Sequence, residues 1–211
     1  MRLAPEGRII VLPLFVFTAV SIWQSDTLGN SMTIPWILFG LLVFCFNFFR
    51  DPVRNMPEGE NMILAPADGK IIQITEVNDP DVGGAQLVSI FLNVFNVHAN
   101  RMPIDGTFTE IKYKKGKFLA AFDHKASDEN EQTEITITSN VGSIKVKQIA
   151  GLIARRILCY AKKDESMQIG GRLGFIRFGS RTDLILPKHV NLCVELGQKV
   201  TGSKTIIGTF E

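Results

Sequence analysis

Residues 86–98 have the sequence QLVSIFLNVFNVH, in which a run rich in Leu, Val, Ile and Phe ends among asparagines and a histidine. An apolar run of this composition, bounded by turn residues, predicts a buried β-strand over Gln86–Phe95. Nine comparable pieces lie between residues 62 and 211, and Gly, Pro, Asn or Asp separates them at close spacing. Short strands at such spacing are typical of a β-sandwich or barrel.

The sequence therefore predicts a mainly β fold, a β-sandwich or barrel over residues 56–211. Two pieces, ADGKIIQI at 67–74 and GQKVTGSKTIIG at 197–208, place an apolar strand after a tight glycine turn, as lipoyl-type sandwiches do, although a plain hairpin explains them more simply. Residues 123–132 alone have a weakly helical or loop-like pattern. The predicted strands are Met62–Ala65, Lys70–Val77, Gln86–Phe95, Gly106–Tyr113, Glu134–Thr138, Ile144–Ile149, Arg155–Tyr160, Thr182–Leu186, Leu192–Glu195 and Thr205–Glu211.

An apolar region precedes this domain, with no charged residue over 9–23 or over 32–49. The intervening QSDTLGNS indicates a turn, so the pattern predicts an apolar helical hairpin and connector over residues 1–55. The second run is near the length of about 20 residues that a membrane-spanning helix needs, and the first is marginal. A secretory signal peptide and a hairpin that only dips into the membrane remain alternatives. The positive-inside rule places the following domain on the cytoplasmic side of the cell membrane, because basic residues flank the two runs at Arg2, Arg8, Arg50 and Arg54.

The composition excludes several classes of protein. The 211 residues carry 23 Lys and Arg against 21 Asp and Glu, and a net charge of +2 is too small for a nucleic-acid binder. A hydrophobic fraction of 45% argues against intrinsic disorder. The cysteines at 45, 159 and 193 are far apart, so they predict free thiols in a reducing compartment rather than a disulfide framework or a zinc site.

Few residues are available for acid–base chemistry, because the chain has three histidines. His98 follows the most apolar strand and precedes a proline turn, where a side chain is held rigidly either for catalysis or by structural hydrogen bonds. His124 and His189 lie in polar surroundings and are expected at the surface, and no ligand spacing supports a metal site. Asp68 is either a turn aspartate bonded to its own backbone or the carboxylate that orients His98. A Gly-Ser pair such as 179–180 is by itself an ordinary turn signal.

The longer sequence around Gly179 and Ser180 is more informative than the pair itself. Residues 151–187, GLIARRILCYAKKDESMQIGGRLGFIRFGSRTDLILP, resemble the region around the self-cleavage site of phosphatidylserine decarboxylase proenzymes of the short branch. Further segments resemble the same branch in the same order, namely FFRDPVR at 48–54, PADGKI at 66–71, FNVHANRMPIDG at 95–106, FDHKASDENEQ at 122–132 and LGQKVTGSKTIIG at 196–208.

The resemblance implies that the chain cuts itself between Gly179 and Ser180. The Ser180 hydroxyl would attack the Gly179 carbonyl, and elimination and hydrolysis would convert Ser180 into a pyruvoyl group, the covalent cofactor of this family. His98 would be the base, with Asp68 as its orienting partner. The products would be a large chain of residues 1–179 and a small chain of residues 180–211, held together by sheet hydrogen bonds and core burial.

A second reaction follows from the same resemblance. The pyruvoyl carbonyl would form a Schiff base with the amine of phosphatidylserine, and loss of CO2 would give phosphatidylethanolamine. The resemblance implies a membrane lipid as partner and no metal. Anionic headgroups could meet the basic residues Arg50, Arg54, Arg101, Lys112, Lys114 and Lys115.

Two departures from the longer branch of the family limit this transfer. That branch carries a second histidine just ahead of the one matched by His98, whereas this chain has Phe95, Asn96 and Val97 there. The cleavage string is FGSR rather than LGST. Two alternatives therefore stay open: a pyruvoyl decarboxylase of a related serine-headgroup lipid or a soluble amino acid, and a non-enzymatic, membrane-tethered β-sandwich module.

Overall fold

The N-terminal part of the chain is helical. The computed structural model describes residues 2–119, 126–152, 156–177 and 180–211, and the chain divides into two compact units, Met1–Val53 and Arg54–Glu211. The first unit holds helices α1 (Pro5–Leu28) and α2 (Thr33–Phe48). Gly29 ends α1 in a left-handed conformation with φ of 62°, and its N–H donates to the Ser25 carbonyl. The predicted helical hairpin is therefore present.

The two helices differ in how well they suit a membrane. Large apolar side chains on both are exposed, including Ile9 at 75%, Phe17 at 67% and Trp36 at 69%. The length and composition of α1 are those of a membrane-spanning helix, whereas α2 has 16 residues, fewer than a straight span requires.

The second unit is mainly β, which confirms the predicted fold class. Its strands are β1 (Met62–Leu64), β2 (Gly69–Asp79), β3 (Gly83–Leu92), β4 (Ala99–Arg101), β5 (Gly106–Lys114), β6 (Gln132–Ser139), β7 (Gly142–Ala150), β8 (Ile157–Cys159), β9 (Ser166–Met167), β10 (Arg172–Ile176), β11 (Ser180–Pro187), β12 (Asn191–Leu192), β13 (Lys199–Val200) and β14 (Ile206–Thr209). A short helix, α3 (Ala126–Glu129), lies between β5 and β6. A curled antiparallel sheet of eight strands has the order β13-β2-β3-β11-β7-β6-β5-β9, and two three-stranded sheets have the orders β1-β14-β12 and β4-β10-β8.

The structure departs from the strand prediction in its short elements. The sequence pattern does not predict β4, β9, β10 or β13, which have two to five residues and lack the alternation that marks a longer strand. Strand β3 ends at Leu92 rather than at Phe95. The Asn93 side chain accepts the N–H of Phe95, and the Asn96 side chain accepts the N–H of Asn93, so this apolar stretch forms a turn.

Strand β11 is the most enclosed element of the sheet. It pairs with β3 on one side and with β7 on the other, and all eight of its residues are buried. One face of the large sheet carries the apolar core, to which Ile90, Val146 and Leu184 contribute from these three strands. The first residue of β11 therefore lies in the interior of the domain, with both neighbouring strands fixing its backbone.

Candidate active site

Ser180 occupies the first position of β11. It lies opposite Leu92 of β3 and Ala150 of β7, and it is fully buried. Among the residues that the structure describes, its Oγ has no hydrogen-bond partner. An unsatisfied hydroxyl in a protein interior costs about 1–3 kcal/mol, so its retention indicates a use other than stability. Gly179, the residue on the other side of the predicted cleaved bond, lies outside the described residues.

His98 immediately precedes β4 and is also fully buried. Its Nδ1 lies 2.9 Å from the carbonyl oxygen of Asn96. Because a carbonyl can only accept a hydrogen bond, this contact requires the hydrogen on Nδ1, so the lone pair of the neutral ring is on Nε2. The ring also lies beside Phe175, with 6.4 Å between the ring centroids. The local contacts thus hold the tautomer that a general base needs.

A buried polar network brings the strand of His98 against the strand of Ser180. Asn100 of β4 donates from Nδ2 to Thr182 Oγ1 at 3.0 Å, and Gln148 of β7 donates from Nε2 to Asn100 Oδ1 at 2.8 Å. Ser180 lies two residues before Thr182 on β11, so both point to the same face of that strand, and His98 lies two residues before Asn100 in the chain. The His98 carbonyl also accepts the N–H of Ile176, four residues ahead of Ser180. The structure therefore places His98 and Ser180 in one region of the interior.

Asp68 lies in the turn before β2, at the same end of the sheet as Ser180. Lys70 pairs with Phe91, one residue from the Leu92 that pairs with Ser180. The Asp68 carboxylate, 13% exposed, accepts hydrogen bonds from Nη1 and Nη2 of Arg54, the second at 2.7 Å, and from the Gly202 N–H at 2.8 Å.

These contacts involve two residues that the sequence singled out. The hydrogen bonds of Asp68 go to Arg54 and Gly202 rather than to His98. Arg54, expected to meet lipid headgroups, is 12% exposed and is committed to this bidentate ion pair. Sequence analysis missed the pair because Arg54 lies in a connector whose charge is explained equally well by membrane topology. The orienting role of Asp68 towards His98 stays a prediction.

A second buried network lies on the opposite face of β11. Arg181 is fully buried, and it donates from Nε to Asp183 Oδ1 at 2.6 Å and from Nη2 to Ser89 Oγ at 2.6 Å and to Gln73 Oε1 at 2.9 Å. Ser127 Oγ donates to the other oxygen of Asp183 at 2.6 Å. The spacing of Arg181 and Asp183 places both on one face of a strand, which was the only sequence signal for this network. It fixes the residue that follows Ser180.

The remaining candidate residues are two histidines and three cysteines. His189 is exposed in the turn after β11, and His124 lies outside the described residues. In the part of the chain that the structure describes, no three His, Cys, Asp or Glu side chains form a cluster that could hold a metal ion. Cys45, Cys159 and Cys193 are free thiols, and burial raises the pKa of Cys159.

The chain is similar to known proteins over most of its length. The phosphatidylserine decarboxylase family matches residues 41–208. Proteins named phosphatidylserine decarboxylase proenzyme are similar over nearly the whole chain: one from Chlorobaculum tepidum is 39% identical over 99% of this chain and 98% of its own length, and one from Ehrlichia ruminantium is 43% identical over 98% and 90%. One from Ralstonia nicotianae is 46% identical over 97% and 92%. The family match over most of the chain and these relatives show that the chain belongs to the phosphatidylserine decarboxylase family of carboxy-lyases.

Proposed function

We propose that the protein is a phosphatidylserine decarboxylase that makes its own pyruvoyl group from Ser180. The observation that carries the proposal is the Ser180 hydroxyl, which is fully buried on the central strand of the sheet and has no hydrogen-bond partner in the described part of the chain. Family membership supports the substrate, since the similar proteins are named for phosphatidylserine. The word proenzyme in those names agrees with a chain that is processed.

The surroundings of Ser180 fit such a group. A pyruvoyl group contains only carbon atoms that Ser180 already supplies, so it needs no additional cavity. Its formation removes the hydroxyl that the folded precursor leaves unsatisfied in the interior. Once formed, the group supplies a carbonyl that accepts the electron pair left behind by departing CO2.

Maturation uses the side chain of Ser180 and the preceding peptide bond. The Ser180 oxygen adds to the Gly179 carbonyl carbon, and the peptide C–N bond breaks, which leaves an ester and a free amine on residue 180. Removal of the Cα proton of residue 180 then breaks the ester C–O bond and releases Gly179 as a carboxylate. The remaining enamine takes up water and loses ammonia. The addition of the Ser180 oxygen and the later removal of the Cα proton each require a proton acceptor close to residue 180.

His98 is the proposed acceptor. The contact of its Nδ1 with the Asn96 carbonyl fixes the tautomer that carries the lone pair on Nε2, and Nε2 is the atom proposed to take the Ser180 proton. Asp68 lies at the same end of the sheet, where it binds Arg54 and Gly202. Its proposed role is to orient His98. After decarboxylation, the protonated form of His98 can return a proton to the product.

The two product chains are expected to stay together. The small chain of residues 180–211 would contribute β11 to the sheet, and β11 is bonded on one side to β3 and on the other to β7 of the large chain, residues 1–179. The apolar helix α1 supports action at a cell membrane, with the catalytic unit on the cytoplasmic side as the basic residues at Arg2, Arg8 and Arg50 indicate.

Intact mass spectrometry of the freshly purified protein tests maturation. We expect two species that divide after Gly179, the smaller one lighter by one ammonia than a hydrolysed 180–211 peptide. Ser180→Ala should remain a single chain, because it lacks the nucleophile. His98→Ala should cleave at least about a hundredfold more slowly, in keeping with the usual contribution of a general base. The matched control is His189→Ala, which removes an exposed histidine and should cleave normally.

The substrate is tested separately on the mature protein. Release of CO2 from phosphatidylserine vesicles, with none from free serine, supports the lipid substrate. Release from free serine alone would instead assign a soluble amino acid. A single uncut chain with no activity in either assay would refute the proposed function, and normal cleavage of His98→Ala would refute the role of His98 alone.

A further inference from the structure

A second unsatisfied polar atom is buried on the face of the sheet that Ser180 shares. Gln148 of β7 is fully buried, and its Oε1 has no hydrogen-bond partner among the residues that the structure describes. An unsatisfied carboxamide oxygen in the interior costs about 1–3 kcal/mol, so a ligand that donates a hydrogen bond to it would be stabilised.

The register of the sheet places Gln148 diagonally opposite Ser180 on the neighbouring strand. Ser180 lies directly opposite Ala150, and Gln148 lies two residues before Ala150 on the same strand. Such diagonal neighbours point to one face and are about 7–8 Å apart at the backbone, which is within reach of a long side chain. The Gln148 oxygen and the Ser180 hydroxyl nevertheless form no bond with each other, since both lack a partner.

The carboxamide is held in place by its other end. Its Nε2 donates to Asn100 Oδ1 at 2.8 Å, and Asn100 is fixed in turn by its bond to Thr182. A Cβ atom at Gly174 would lie 2.4 Å from the same nitrogen, so the amide packs directly against the Gly174 backbone. With its nitrogen committed, Gln148 offers a preorganised acceptor on the face that Ser180 shares.

We propose that Gln148 is a substrate-binding residue whose Oε1 accepts a hydrogen from the amine of the substrate as that amine reaches residue 180. This inference rests on the proposed function, in which a primary amine must approach the carbonyl carbon derived from Ser180. An amine nitrogen carries hydrogens that need acceptors in a buried site, and Gln148 supplies one. Asn100 and Thr182 act as positioning residues for the carboxamide.

The test uses a small soluble amine, so that lipid binding does not enter. Methoxyamine condenses with a pyruvoyl carbonyl, forms a C=N bond and releases one water, and intact mass spectrometry follows the mass gain on the small chain. Gln148→Met removes the acceptor at nearly constant volume. We expect this variant to divide into two chains, and its matured fraction to label about tenfold more slowly than mature wild type, as the loss of one buried hydrogen bond predicts.

A matched control is available in the same sheet. Gln132 of β6 is also buried with an unsatisfied Oε1, but it pairs with Ile149 and so belongs to the opposite face. Gln132→Met should therefore label at the wild-type rate. Gln148→Glu keeps an acceptor oxygen at the same position and should label faster than Gln148→Met.

The outcomes separate this inference from the proposed function. A wild-type protein that never labels would refute the proposed function itself. A wild type that labels, together with a Gln148→Met variant that labels equally fast, would overturn the role of Gln148 alone. If Gln148→Met does not mature, Gln148→Asn, which withdraws the oxygen but retains a carboxamide, replaces it. Failure of both variants to mature would assign Gln148 to self-cleavage and also overturn the inference.

Discussion

The guanidinium of Arg181 is predicted to anchor the strand that begins at Ser180, and its removal should be costly. Arg181→Met keeps most of the side-chain volume and deletes the donors to Asp183, Ser89 and Gln73. Asp183, 1% exposed, would then be a buried carboxylate with Ser127 Oγ as its remaining side-chain partner. Breaking a buried ion pair from one side costs about 3–5 kcal/mol, most of it from the charge left behind.

Denaturant unfolding of the full chain in detergent measures this cost. Ser180→Ala serves as the background, because an uncut chain avoids a change of covalent state during the experiment. We expect Arg181→Met to lower the free energy of unfolding by about 3–5 kcal/mol. Adding Asp183→Asn removes the stranded charge and should recover a substantial part of the loss. A loss below about 1 kcal/mol, or a double variant no more stable than the single one, would refute the reasoning.

Two further predictions concern the packing and the charges of the same domain. Gly174→Ala should destabilise the Ser180→Ala chain by about 1–3 kcal/mol, because the new Cβ would lie 2.2 Å from the Leu158 carbonyl oxygen. The control Gly84→Ala should be nearly neutral, because the nearest atom to its Cβ would be 3.6 Å away. Equal melting temperatures of the two variants would contradict this prediction. The hydrogen bond from Lys145 lowers the pKa of Asp81, so this aspartate stabilises the fold above its unfolded-state pKa of about 4 and loses that effect as the pH falls through its folded-state pKa. Asp81→Asn should therefore melt at a lower temperature than the parent at neutral pH and approach the parent in acid, and a difference independent of pH would disprove the assignment.

The parts of the fold that follow from local pattern could be predicted from the sequence. Strands β2, β3 and β5 have the apolar, β-branched composition that a buried strand requires, and the uncharged runs before residue 50 form two helices. Strands β4 and β10 could not be predicted in this way. Each is held by pairing with a strand distant in the chain, as in the pairing of Phe175 with Ala99, and such pairing leaves no periodic signal in three to five residues.

The candidate site divides in the same way. The sequence singled out His98 and Ser180 because family resemblance supplied their roles, and the fold places both in the interior at one end of the sheet. The partners of these residues came only from the structure. Arg54 is 14 positions from Asp68 in the chain, and Gln148 is 48 positions from Asn100, so neither contact leaves a local pattern. A side chain's partner across a fold depends on register, which sequence pattern alone does not specify.

The alternation of β11 connects anchoring to chemistry. Ser180 and Thr182 face the core side with Gln148 and Asn100, whereas Arg181 and Asp183 face the other side with Ser89 and Gln73. A slip of one residue against β3 and β7 would exchange the two sets, placing a guanidinium among the apolar residues of the core and turning Ser180 away from it. The Arg181 network makes that slip costly. Cleavage before Ser180 would give β11 a new chain end, and strands fray at chain ends. The Arg181 network therefore holds the register of β11 at the residue next to that new end.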